Sequence, residues 1–91
     1  MRTTLFTALF LTILGSAFAS ENCKCQDPSG TGPQRNDLTG QCCSGSAVSS
    51  CEKHDFPGPN HQCTGGSTTC LNDDAFDKCC KDAGAPGAYC W

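Results

Sequence analysis

Two adjacent cysteine pairs, Cys42-Cys43 and Cys79-Cys80, constrain this chain more than any other feature. Neighbouring cysteines rarely bond each other, because a ring closed across one peptide bond strains disulfide geometry. Each member must therefore reach a different part of the chain, which makes a doublet a four-way junction. Around the doublets the cysteines fall into two sets of five: Cys23, Cys25, Cys42, Cys43 and Cys51, then Cys63, Cys70, Cys79, Cys80 and Cys90. Asn36-Asp37 and Asn72-Asp73 precede the doublets at nearly the same distance. These features read as an internal duplication, with pseudo-repeats over 20–52 and 61–91. Ten cysteines admit about 945 pairings. The local expectation is that one member of each doublet reaches the next cysteine along, Cys51 or Cys90.

The start of the chain suggests where those bonds form. Arg2 supplies a basic residue, Leu5 to Leu14 an apolar run, and Ala17-Phe18-Ala19 a small-x-small cleavage signal. The apolar run, about ten residues, is short of the roughly 20 that a membrane helix needs. A signal peptide over 1–19, cut before Ser20, is expected, with a single cysteine-rich domain over 20–91. Removing 19 of 91 residues leaves 72, exported to an oxidising extracellular space and without membrane insertion.

Beyond the leader the only aliphatic Leu, Ile or Val residues are Leu38, Val48 and Leu71, and the aromatics are Phe56, Phe76, Tyr89 and Trp91. A domain of this size is marginal even with an ordinary core. Five disulfides, each stabilising by roughly 2–4 kcal/mol through restriction of the unfolded chain, are expected to replace that core. Metal binding by the cysteines is disfavoured, since a secretory leader favours oxidation and the repeated C-x2-C spacing of zinc ribbons is absent. No metal or other cofactor is expected.

Lys24, Arg35, Lys53, Lys78 and Lys81 face nine carboxylates, a net charge of −4 beyond the leader. An acidic chain without a basic run is a poor nucleic-acid or anionic-membrane ligand. No Asn-x-Ser/Thr sequon occurs.

Taken in order, Ser20 to Cys25 reads as a short extended segment and Gln26 to Arg35 as a turn-rich surface loop. Asn36 is placed as the N-cap of a short helix over Asp37 to Cys43, weakened by Gly40. Ala47 to Glu52 reads as a strand, and the proline-rich Lys53 to Asn60 as a loop between the halves. Gln62 to Thr64 and Ser67 to Leu71 suggest a hairpin about Gly65-Gly66. Asn72 caps a second helix whose charge order suits its dipole. Phe76, Cys79, Cys80 and Ala83 form its buried stripe, Gly84 its C-cap, and Pro86 prevents continuation. Ala88 to Trp91 is a last strand. The expected fold is a small disulfide-rich α+β domain, two short helices on a short antiparallel sheet.

Little suggests catalysis. His54 and His61, with Asp55 nearby, lack ligand spacing such as H-x3-H and read as solvated loop histidines. No G-x-S-x-G elbow is present. Asp73, Asp74 and Asp77 sit where a helix begins and favour capping over glycoside hydrolysis. Exposed aromatics and loops on a rigid scaffold are the usual material of a binding protein. Phe56 and Trp91 are the aromatic candidates, and Asp27 to Arg35 and Lys53 to His61 are the loops expected to face a partner. Trp91 could equally pack over a disulfide.

The order Cys23-Lys24-Cys25, Leu38-Thr39-Gly40-Gln41-Cys42-Cys43, Phe76-Asp77-Lys78-Cys79-Cys80 and Gly87-Ala88-Tyr89-Cys90 resembles the small secreted cysteine-rich proteins of filamentous fungi, of the effector and elicitor type. The resemblance implies extracellular action at the plant–fungus boundary, on plant immunity, by binding an unknown host extracellular or surface protein. A monomer or small homo-oligomer is expected. Dropping two cysteines recovers the order of hydrophobins, but those work through exposed aliphatic surface, which three aliphatic residues cannot build. An antifungal or killer-type toxin is a further class, disfavoured by the acidic charge. A protease inhibitor is another, with Arg35 or Lys53 entering the protease pocket.

Overall fold

Alternation along Asn22-Cys23-Lys24-Cys25 organises the fold that the computed structural model describes for residues 19–91. The leader expected over 1–19 lies outside the described residues except for Ala19. In a strand, residues two apart share a face, so Cys23 and Cys25 point one way and Lys24 the other. Both cysteines are buried. The elements in order are β1 (Ala19–Ser20), β2 (Asn22–Cys25), α1 (Asn36–Cys42), a 3₁₀ turn (Gly45–Val48), β3 (Cys63–Thr64), β4 (Leu71–Asn72), α2 (Asp73–Asp82) and β5 (Ala88–Cys90). β2 lies between β3 and β5 in an antiparallel three-stranded sheet, while β1 pairs with β4 separately. This is the expected class: two short helices, short antiparallel sheets and five disulfides.

α2 follows from its caps. Asn72 Oδ1 accepts the Ala75 N–H at 3.0 Å, and Asp73 and Asp74 occupy the positive end of the helix dipole. At the other end Gly84, with φ +108°, reverses the chain. Its N–H bonds Lys81 O at 3.1 Å and that of Ala85 bonds Cys80 O at 2.8 Å, a Schellman closure. This closure amends the expected stripe. Phe76 and Cys80 are fully buried and Cys79 partly so, but Ala83 is exposed, and Ala85 enters the core after the reversal.

α1 begins at Asn36, a residue early, with Arg35 at the N-cap and no side chain capping it. Thr39 carries the attachment instead. Its buried hydroxyl accepts the Cys25 N–H at 2.9 Å and donates to Arg35 O at 3.0 Å, tying α1 to β2. Gly40 is needed for packing: a Cβ there would lie 2.7 Å from Cε2 of Phe56.

Two expected strands are different structures. Ala47 and Val48 are consecutive and both buried, which one face of a strand cannot achieve but a tight 3₁₀ turn can. The hairpin about Gly65-Gly66 is also replaced. β3 joins β2 whereas β4 joins β1, so the segment between them crosses from one sheet to the other.

The disulfides are Cys23–Cys90, Cys25–Cys80, Cys42–Cys79, Cys43–Cys63 and Cys51–Cys70. Every bond joins the first set of five to the second, so neither doublet reaches Cys51 or Cys90. Register decides Cys90. Asn22 and Trp91 exchange backbone hydrogen bonds of 2.9 and 2.8 Å, making Cys23 and Cys90 the following non-hydrogen-bonded pair, where strands approach most closely. Cys51 is carried away from the doublets by the 3₁₀ turn and meets Cys70 beside Gly65, where a Cβ would lie 2.9 Å from Cys70 Sγ. The first members of the two doublets, Cys42 and Cys79, bond each other, and their neighbours bond Cys63 and Cys25. The two halves are thus one body. Leu38, Val48 and Leu71 are all buried in the cysteine-lined core around Phe76, so disulfide sulfur takes the place of missing aliphatic volume.

Candidate binding cleft on the outer sheet face

The face of β2 and β5 turned away from the core is built by the same alternation. Lys24 stands opposite Tyr89 in the register, and cross-strand partners project to the same side. Gln26 and Trp91, two residues further on, extend that side. The loop after β2 brings Gly30 and Gln34 to one margin, and the loop before β3 brings Pro59, Asn60 and His61 to the other. Together these residues line an open cleft of about 470 Å³.

Its aromatic wall is held from behind. Tyr89 and Trp91 stack with ring centroids 5.1 Å apart and planes 25° from parallel. Gly30, at φ +82°, lies so close that a Cβ there would sit 2.9 Å from the Tyr89 ring. Tyr89 is half-buried between them, while Trp91 is 43% exposed, the one large hydrophobic side chain left so among the described residues. Trp91 therefore packs on an aromatic ring.

Both margins are fixed by hydrogen bonds. Gln26, itself buried, donates from Nε2 to Gly32 O at 3.1 Å, and the Arg35 N–H bonds Cys25 O at 3.0 Å. Asp27 Oδ1 accepts the Ser29 N–H and hydroxyl at 3.0 and 2.6 Å, which holds its carboxyl below the usual range. In the other loop Asp55 and Thr64 exchange two 3.0 Å backbone bonds. Buried Gln62 accepts the Asn60 N–H at 2.6 Å. His61 adopts φ +61°, a left-handed conformation that histidine tolerates better than most side chains.

Lys24 is the unusual group. It is only 6% exposed, and its Nζ donates to Gln34 Oε1. Ion pairs among the described residues engage Arg35, Lys78 and Lys81 but not Lys24. An ammonium that meets one neutral amide and no carboxylate retains unused donors. Alternation could have placed Lys24 on this face from sequence, but nothing local signals its burial.

The residues singled out from sequence are spread around the molecule. Trp91 lines the cleft. Phe56 is half-buried, its ring over Gly40, and a cis peptide bond joins it to Pro57. Arg35 is exposed at the start of α1 and lies 3.4 Å from Asp37, which lowers the Asp37 carboxyl. Lys53 is exposed beside Gly66, in a separate hollow with Cys51 and Cys70. His54 bonds Cys51 O at 2.8 Å through Nδ1; only His61 reaches the cleft.

Of the helix carboxylates, Asp73 and Asp77 have structural partners. Asp77 accepts the Ala88 N–H at 2.8 Å and pairs with Lys81 at 2.9 Å. Asp73 accepts the Ser20 hydroxyl at 2.9 Å, yet burial raises its carboxyl above the usual value. The sulfurs of Cys25, Cys42 and Cys80 lie together, but all three are in disulfides and offer no thiolate to a metal.

These features define a small disulfide-crosslinked α+β domain with an open, polar, aromatic-walled cleft. The chain belongs to a family of unknown function (DUF5948), matched over residues 20–89. No curated protein and no solved structure matches it.

Proposed function

We propose that this chain is a secreted recognition protein of the effector or elicitor type, acting outside the cell at the plant–fungus boundary by binding and not by catalysis. The observation that carries this reading is convergence. Parts of both loops that sequence marks as partner-facing border the same cleft as Trp91. Five disulfides suit an oxidising compartment and a scaffold that resists proteolysis, since proteases cut segments that open locally. No helix among the described residues is long and apolar enough to cross a membrane.

The geometry gives less support to the other classes. Leu38, Val48 and Leu71 are buried, leaving no aliphatic surface of the kind a hydrophobin uses among the described residues. Arg35 has its N–H bonded to Cys25 O and its guanidinium beside Asp37, which pins it where an inhibitor would present an extended, free residue. The net charge of −4 beyond the expected leader, five cations against nine carboxylates, is unfavourable for membrane attack.

Infiltration of purified protein into leaves tests the proposal, with reactive oxygen and defence-gene induction as readouts. The oxidised form should elicit a response that reduced, alkylated protein does not. Trp91→Ala, with its disulfides intact, should lose most of that response. A response of equal size from the Trp91 variant would remove the cleft from the account.

A further inference from the structure

We propose that the cleft binds uronate units of an acidic oligosaccharide, with the Trp91 ring against the sugar face and the Lys24 ammonium on its carboxylate. This rests on the recognition reading and names its ligand class. Charge is the first argument. Nine side-chain carboxylates are spread over the chain, yet none lines this cleft, whose titratable side chains are Lys24, His61 and Tyr89. Lys24 is 6% exposed with no carboxylate partner among the described residues. Its ammonium has spare donors at an open cleft, and an anion entering there would meet them through charge-assisted hydrogen bonds.

Shape is the second argument. A flat, half-exposed indole, braced by Tyr89 and Gly30, offers a rigid apolar plane but no pocket. A pyranose ring has one such face of C–H groups and polar groups around its rim. Lys24 stands opposite Tyr89 in the register, with strand backbones about 5 Å apart, so the cation and the stacked rings border the same cleft. The remaining polar side chains of the lining, Gln26, Gln34 and Asn60, are amides. Amides donate and accept, as do sugar hydroxyls, whereas an anionic peptide would use only part of that capacity. Strand addition by a peptide is also hindered, because Asp77 already takes the edge N–H of Ala88.

Trp91 is the sole tryptophan, so intrinsic fluorescence reports the site directly. The protein is titrated at about 0.15 M salt with tetragalacturonate, a glucuronate tetramer, cellotetraose and tetraglutamate. Saturable change with either uronate tetramer, at least roughly tenfold tighter than with the neutral and peptide probes, supports the inference. The preferred uronate identifies the source polymer. Lys24→Met should weaken uronate binding roughly tenfold or more. Trp91→Ala and Gln34→Ala, at exposed positions where folding is not at stake, should weaken it by calorimetry. Equal affinity for cellotetraose or tetraglutamate, or no uronate binding at about 1 mM, overturns the inference. A leaf response that needs Trp91 in a protein that ignores uronates would overturn this ligand while leaving the recognition face. Uronate binding without a leaf response would support the ligand and count against the elicitor reading.

Discussion

Gly30 and Lys24 show how single residues set the surface of this domain. Gly30 must hold φ +82° and admit the Tyr89 ring where a Cβ would sit. Gly30→Ala should cost about 1–3 kcal/mol, the range for a residue forced into an unfavourable backbone region, and should alter the near-ultraviolet circular dichroism of the Tyr89–Trp91 stack. Urea unfolding checks the first and the spectrum the second. Asp73 gives a pH prediction. Burial, then the neighbouring Asp74 charge, raises its carboxyl above the ordinary 3.8 against the opposing Ser20 bond. The folded state then binds this proton more tightly than the unfolded chain, so Asp73 favours folding most below pH 3.8 and that contribution is lost as pH rises through the folded-state value. The melting temperature of wild type relative to Asp73→Asn should fall as pH rises from below 3.8 through the folded-state value; a constant or rising difference would contradict this. The pattern of alternation was legible around Lys24, but the ammonium's burial depends on Gln34 and Tyr89, ten and 65 positions away, and no local signal carries that.

At the scale of elements, the helices were legible because their determinants are local. Asn72, Asp73-Asp74 and Gly84 act within a few residues of themselves, and they cap α2 as the sequence suggests. Asn72→Ala should therefore cost about 1 kcal/mol, read from thermal or urea denaturation, with the disulfides unchanged. The strands were less legible. Val48 looks like a strand residue by propensity, but it is buried with Ala47 on one side of a 3₁₀ turn. The Thr-rich stretch before Leu71 reads as half a hairpin, whereas β3 and β4 take different partners. Short strands of two to four residues draw their stability from neighbours distant in sequence, and those neighbours are what one sequence omits.

For the whole molecule, the cysteine sets predicted that disulfides would replace an aliphatic core, and they do. Which cysteine meets which follows from packing: α1 and α2 lie together and join through Cys42–Cys79, while β2 between β3 and β5 aligns Cys23 with Cys90. The cleft exists because of that alignment, since it sets Lys24 beside Tyr89. Tryptic digestion of unreduced protein beginning at Ser20, followed by mass spectrometry, tests this directly. Ser20–Lys24 should be recovered covalently bonded to Asp82–Trp91, and reduction should separate them. Recovery of Asp82–Trp91 bonded instead to Cys79-Cys80-Lys81 would contradict the account, because β5 would be released from β2 and the cleft would lose its aromatic wall.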